Sequence, residues 1–556
     1  MDGAMNMNRR PQRERSPEGR LVFFVSFGVW FFGLLVALWL AGTGFASPAR
    51  GAETRKQGGI LRLARTTDPK TLDPLLMGTM QDYLLMPLMH LPLLDLVGGT
   101  NLVPCGAEAW SASPDQRVFT VHLRPGVKFS NGRAVVAADY VFTLERFLDP
   151  GTASGGAYYL SDIRGAKAFT SGKTNHLAGV IALSPRTFRV ELEHPDATFP
   201  YNFWIMAIPG EEFVGHESRY AICPVGSGPY MVQEWARGAY LKLKRNPHYQ
   251  GPEPQHLDGV EILIGGDETT HLMMFERSEL DLANITGSGI PRASFQRLTR
   301  DPRWRGLVER VPLFFTDFVN LNTEIPPLTN VLVRRAINHA IDRDRRMGVA
   351  LGFYSHAEGV IPPIMPGYNP ELRGYRYDPD KARQLLRESG LPLPWRTQLW
   401  HEHSDEKRTL AQGIQWDLQQ IGIEVELKPV AITELADAIS TRGKVPMILH
   451  FIAPVLPDPK DILGSLFNGR AATNNSGQNW AFYNNPEVTR LLDDAAIATE
   501  AVCRFRLYQR AEEIIVRDAP WVFLGHPNCF ALRQPWLKGR LLEPQWWYRF
   551  DRVWIE

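Results

Sequence analysis

Residues 224–249 read PVGSGPYMVQEWARGAYLKLKRNPHY, and this stretch decides how the chain folds. Gly226, Gly228 and Pro229 set a rigid turn. Tyr230 to Trp235 follows, then a short loop at Arg237-Gly238. From Tyr240 to Arg245, Leu241 and Leu243 alternate with Lys242 and Lys244. Period-two alternation bounded by glycine and proline marks a half-buried strand, so the stretch is a hairpin with one face on a core. Asn246-Pro247 ends it, because the residue before proline is pushed away from helix and proline cannot donate to a ladder.

Working outward, 556 residues exceed what one core accommodates, so two to four structural units are expected. A hydrophobic content of 44% and a charged content of 22% are those of an ordinary globular protein. A formal net charge of +1 leaves no electrostatic footprint for nucleic acid. Fifteen tryptophans and sixteen tyrosines suit either an aromatic pocket or a large core.

The amino terminus reads as a targeting segment, residues 1–46, followed by a polar leader over 47–57. Arg9, Arg10, Arg13, Arg15 and Arg20 form a basic region, Leu21 to Ala41 is nearly all apolar, and Gly44-Phe45-Ala46 offers small residues for cleavage. The apolar run is long enough to span a bilayer, so an uncleaved inner-membrane anchor over residues 21–41 stands as the alternative. Pro11 and Gln12 follow Arg9-Arg10 where a twin-arginine signal wants apolar residues, and no cysteine near the end of the run offers a lipid site. A soluble exported protein of this kind belongs in a periplasm. Cys105, Cys223, Cys503 and Cys529 allow three pairings if all pair, with buried free thiols as the other reading.

Gly58 to Ala64 opens as a strand, and Met77 to Met89 is apolar at helical spacing, reading as a core helix with Pro87 late in it. Phe119, Val121 and Leu123 alternate as a strand, turned by Arg124-Pro125-Gly126 and Asn131-Gly132, and Val141, Leu144 and Leu148 space a helix. Thr187–Glu193 and Asp258–Ile264 read as strands and Thr269–Leu282 as a helix. Val333, Ala336, Ile337, Ala340 and Ile341 recur at three and four residues, an amphipathic helix over 331–343. Leu410, Ile414, Leu418 and Ile421 line another, with Gly422 placed for a positive φ and a strand from Ile423. Val488–Ala496 and Phe505–Ile515 are the last helices, before an apolar strand over Trp521–Leu524.

No catalytic constellation emerges. Ser171-Gly172-Lys173-Thr174 resembles the end of a phosphate loop, but Lys167 stands where its first glycine belongs. Gly226-Ser227-Gly228 lacks the spacing of a nucleophile elbow. His401-Glu402-His403 lacks the second half of a zinc-protease motif, and no cysteine pair has metal-ligand spacing. Neither enzyme, metal nor cofactor is expected.

The order of residues nevertheless resembles one family. GSGPY…W…G…L.RNPHY, the opening GGILRLA…DPKTLDP, residues 101–150 (NLVPCGAEAW…FTVHLRPGVKFSNG…DYVFTLER) and Asn322 to Arg343 follow one another as in the peptide/nickel class of solute-binding proteins of ABC importers. Val136 stands where that family places a capping Thr, so the cap of the following helix comes from elsewhere or is forgone. The resemblance runs from Gly58 to about Trp536. It implies an α/β fold like type II periplasmic binding proteins, with two lobes, a hinge and an inserted small domain. The implied division is 58–95, 220–312 and 526–556 for lobe I, 96–219 for the insert and 313–525 for lobe II.

It further implies a monomeric receptor that captures a peptide or peptide-like solute between closing lobes and hands it to an inner-membrane permease. Other solutes of the same scaffold are an oligosaccharide, an opine-like conjugate or a metallophore; a membrane-tethered sensor or chaperone-like protein is the reading from another class. The positions implied to face ligand are Met77, Gly78, Thr79, Trp400, His401, Phe451, Ala453, Val455, Asn479 and Trp480. Peptide-binding members fix the ligand's ammonium with an aspartate in a W..DYPDP-type stretch. Here Pro457-Asp458-Pro459 is kept, but Pro454 or Val455 occupies the anchor and Phe451 replaces the tryptophan. An apolar anchor argues against selection by a free α-amino group.

Overall fold

The expected hairpin forms from strands Tyr230–Ala236 and Tyr240–Arg245, paired antiparallel with Leu241 opposite Trp235 and Leu243 opposite Val232. The computed structural model describes residues 57–556 apart from Gly78, Asn284, 286–289, 346–351, 474–477 and Trp546. The expected targeting segment and the leader up to residue 56 therefore lie outside the described residues, as does Gly78.

The turn before the hairpin explains its glycines. The Gly228 N–H donates to the Met89 carbonyl at 2.8 Å. A Cβ on Gly226 or Gly228 would fall inside contact distance of the Met89 and His90 backbone, so only glycine lets the turn lie against the helix Met86–Met89. Asn246 closes the far end, its Nδ2 donating to the Gly228 carbonyl at 2.9 Å.

The hairpin belongs to a sheet ordered Ile60–Arg65, Gly259–Ile264, Tyr240–Arg245, Tyr230–Ala236, with the first pair parallel and the others antiparallel. Leu61, Leu63, Leu241, Leu243, Val260 and Ile262 bury its inner face. The Met77–Met89 segment is not the single helix its spacing suggests. It forms two short helices, Met80–Tyr83 and Met86–Met89, with Pro87 in the first turn of the second. Proline lacks the N–H that would bond one turn back and its ring crowds that carbonyl, so the chain restarts there.

A second, wholly antiparallel sheet runs Ala107–Ala112, Val118–Leu123, Thr187–Glu191, Val180–Ser184. The helix Ala137–Leu148 covers it, Tyr140 stacking on Phe188 at 5.4 Å between ring centres. Val136 gives that helix no side-chain cap, but Asp139 accepts the Val136 N–H at 2.9 Å and pairs with Arg133 at 2.7 Å. Half of a capping box survives without its hydroxyl.

The third sheet has Val308–Pro312, Trp521–Leu532, Thr316–Leu321, Met447–Ile452, Trp395–Glu402 and Ile423–Val430 in that order, with Tyr354–Ser355 also paired to Trp521–Leu532. Every residue of Thr316–Leu321 is buried. Phe318 packs with Trp521, Phe523 and Ile515 on one face, Val319 and Leu321 with Val522, Ala336 and Leu418 on the other. Helices on both faces bury such a strand completely, Thr316, Asp317 and Asn320 included. Those helices are Val331–Ala340, Asp405–Gln419, Pro486–Ile497 and Ala501–Asp518. Trp521–Leu532 is longer than its apolar core of four suggests, because its second half pairs with Val308–Pro312 after its first half has paired with Thr316–Leu321. All four cysteines are free thiols, Cys105 and Cys529 buried, Cys223 and Cys503 exposed. Among the described residues no helix is long and apolar enough to cross a membrane.

Candidate functional site

A cavity of about 280 Å³ opens where segments from all three sheets meet. One wall is the turn after the first strand, with Met77, Tyr83 and Met86. The long connection within the second sheet adds Phe147, Tyr158 and Tyr159, and the segment from that sheet to the hairpin adds Tyr201, Trp204 and Met206. The third sheet's side closes it with Phe315 and the loop Ala453-Pro454-Val455-Leu456. Among the described residues that line it, none is Asp, Glu, Lys, Arg or His.

The structure distributes the ten sequence positions unevenly. Met77, Ala453 and Val455 share this cavity. Phe451 stands behind it, stacked on the lining Phe315 at 6.0 Å, with the Lys407 ammonium 5.4 Å from its ring centre. Thr79 caps the helix Met80–Tyr83, its hydroxyl accepting the Asp82 N–H at 3.2 Å, while Asp82 pairs with Arg65 at 2.7 Å. Trp400 and His401 are buried in the third sheet. Trp400 donates to Gln398 at 3.0 Å under the Lys428 ammonium, and His401 Nδ1 lies 2.8 Å from the Glu402 carbonyl. Asn479 holds a turn, donating to the Asn468 and Tyr483 carbonyls and accepting the Tyr483 N–H. Trp480 stacks on Phe318 at 6.2 Å. Gly78 lies outside the described residues.

The cavity's aromatic wall is what sequence reading missed. Tyr158 and Tyr159 sit on a single 3₁₀ turn, Ala157–Leu160, preceded by Gly155-Gly156, and Tyr201 and Trp204 follow Pro200 in the run FPYNFW. Aromatics beside glycines in a segment with no apolar periodicity were the available signal.

Below the apolar loop lies a polar layer. Asp461 is half-buried and its Oδ2 accepts the N–H groups of Val455 at 2.7 Å and Leu456 at 3.0 Å, while the Tyr159 hydroxyl interacts with the same carboxylate. Burial pushes the Asp461 carboxyl above its usual range, and these three donors pull it back. Asp458 caps the next turn through the Lys460 N–H and pairs with Arg504, each at 3.0 Å. Lys460 reaches across to Asp196 at 2.7 Å, and Asp73 grips Arg146 in a two-pronged pair at 2.9 and 2.5 Å.

Two sets of relatives bear on this geometry. The family model for bacterial extracellular solute-binding proteins, family 5, matches residues 101–474. The chain belongs to that family. Curated family 5 relatives include a probable di/tripeptide-binding protein 5 of Pseudomonas aeruginosa, 29% identical over 82% of this chain and 88% of its own length. Another is heme-binding protein A of Haemophilus influenzae, also 29% identical, over 80% of this chain and 83% of its own. Among solved structures, the ABC-transporter-associated periplasmic binding protein DppA of Helicobacter pylori, in complex with the peptide STSA, superposes with a TM-score of 0.72. It is 26% identical, and the match covers 90% of this chain and 99% of that one. The family 5 assignment fits a cavity whose described lining carries no charged side chain: the family binds solutes.

Proposed function

We propose that the protein is a periplasmic receptor that encloses a peptide or peptide-like solute in this cavity and presents it to an ABC-importer permease. The observation that carries the reading is the cavity's construction, with walls from segments that adjoin three different sheets, so that solute and closure are coupled. Peptide-binding relatives on both comparisons support the solute class.

Closure needs a hinge, and we place it where the third sheet's longest strand changes partners. Pro312 faces Asn528 and Asp317 faces Gly525, so two chain crossings run side by side. Bending two adjacent strands moves whole sheets with little local change. On this reading lobe I comprises 58–95, 220–312 and 526–556, the insert 96–219 and lobe II 313–525. Met77, Ala453 and Val455 face the solute, joined by Tyr158, Tyr159, Tyr201 and Trp204. The Lys460–Asp196 pair and the Tyr159–Asp461 bond fasten the insert to lobe II when the lobes are shut. Residues 1–46 direct export.

Thermal unfolding with pooled tri- to pentapeptides, free and acetylated at the amino terminus, tests this. A ligand at 100 times its Kd stabilises the folded chain by about 2.7 kcal/mol. A raised transition with any pool supports the peptide reading, and silence from all of them refutes it.

A further inference from the structure

We infer that the ligand group held in this cavity is uncharged and apolar or aromatic, and that a free ammonium is excluded from it. The inference rests on the receptor reading and specifies its substrate class.

An ammonium taken out of water needs a carboxylate or several acceptors in return. The cavity's described lining supplies no carboxylate. The loop that faces it presents Ala453, Pro454, Val455 and Leu456, and Val455 is 49% exposed. The two acids nearest in the chain are committed elsewhere. Asp461 turns its carboxylate to the backbone of Val455 and Leu456 and to Tyr159, and Asp458 is held by Arg504. Asp461 therefore stiffens the loop from behind instead of projecting into the space in front.

What the walls offer instead is mostly ring faces and thioethers, Tyr83, Tyr201, Trp204, Met77, Met86 and Met206, with Ser154, Asn202 and Gln545 as neutral polar side chains too few to replace a carboxylate. Such walls gain from stacking and from sulfur–aromatic contact with a neutral ring or alkyl group. Ring faces also attract a cation, but by less than a primary ammonium loses on leaving water unpaired. The ligand class is thus a short peptide with a blocked amino terminus and apolar or aromatic residues, or a neutral aromatic solute of similar size.

The test titrates the purified full-length protein with three probes of one size by calorimetry. They are Phe-Leu-Tyr amide, its N-acetyl form and an uncharged non-peptide aromatic amide. The N-acetyl form is expected to bind at least about 10-fold more tightly than the free amine, the cost of an unpaired charge being larger than that. Val455→Asp, at a half-exposed position that tolerates a charge, is expected to reverse the preference. Equal or tighter binding of the free amine to the unaltered protein overturns the inference. So does a Val455→Asp variant with an unchanged ratio, since the loop then does not face the ligand's end. If only the non-peptide probe binds, the peptide reading falls and the inference about charge stands. If charged peptide pools bind while every neutral probe is silent, the inference falls and the receptor reading stands.

Discussion

Glu512 should make this protein less stable as the pH rises toward neutrality, and Glu512→Gln should remove that dependence. The side chain lies in the helix Ala501–Asp518, fully buried, its Oε1 accepting the Ile361 N–H at 2.8 Å. Burial pushes its carboxyl up from 4.5 to about 7, with no cation nearby to reverse the effect. The native state thus holds a proton that the unfolded chain releases near 4.5. Stability from this group is fully present below about 4.5 and is lost as pH rises through about 7. At about 1.4 kcal/mol per tenfold, that displacement is worth roughly 3 kcal/mol. Three histidines, two of them fully buried, act in the opposite sense. His90, His450 and His526 are lowered by burial from 6.5 to about 4, so their contribution is present above 6.5 and lost as pH falls toward 4. The unaltered protein's profile mixes both, but the difference between variant and parent isolates the carboxyl. Glutamine mimics the neutral acid and keeps the acceptor for Ile361. Urea unfolding of both proteins from about pH 4.5 to pH 8 should therefore show a difference that starts near zero and grows to roughly 3 kcal/mol in the variant's favour. A difference that stays flat across that range would refute the argument.

Gly228→Ala should destabilise by about 3 kcal/mol, because its methyl meets the backbone of Met89 and His90, which cannot yield as a side chain can; denaturant midpoints measure this. Arg504→Ala should cost about 3–5 kcal/mol by leaving Asp458 buried and unpaired, and adding Asp458→Asn should recover part of the loss in the same assay. Lys460→Ala should weaken ligand binding about 5-fold by loosening the closed state, with a smaller effect at high salt. The pair is part-exposed, so about 1 kcal/mol is its ceiling. Titration of one ligand at two ionic strengths reads that out, and an unchanged Kd would remove the pair from closure.

The fold was legible wherever local pattern and tertiary use agree. Leu241 and Leu243 alternate with lysines because one face of their strand is solvated, and period two says so in the sequence alone. Thr316–Leu321 shows no alternation because both faces are buried, so no period marks it as a strand in the sequence. Reading failed at Met77–Met89, where apolar spacing was right and chain continuity was not. Proline decides the outcome there, since Pro87 starts a second short helix where the apolar spacing runs on unbroken. The length of Trp521–Leu532 was also hidden, since partner exchange along one strand is a property of the sheet.

The site was legible in the same partial way, and the division has a physical cause. Ala453 and Val455 were singled out because the family that the sequence resembles carries a charge in this loop and this chain carries none, and a missing charge is visible without coordinates. Trp400, His401 and Asn479 have the residue types of a binding surface, but they bond locally, in a sheet and a turn, and Trp480 stacks on Phe318. Nothing in spacing separates a polar atom spent on its own backbone from one aimed at a solute. The aromatic wall was illegible for the converse reason. Tyr158, Tyr159, Tyr201 and Trp204 belong to short 3₁₀ turns and connections, where no period constrains them, and they converge only once the insert is set against the third sheet's loop. Yet Asp461 connects the two halves. Its carboxylate binds the Val455 and Leu456 backbone and interacts with the Tyr159 hydroxyl, so the loop without a charge and the wall without a period meet at one half-buried acid. Replacing that acid with asparagine should therefore disturb cavity shape and lobe closure together, which neither Val455 nor Tyr159 would do alone.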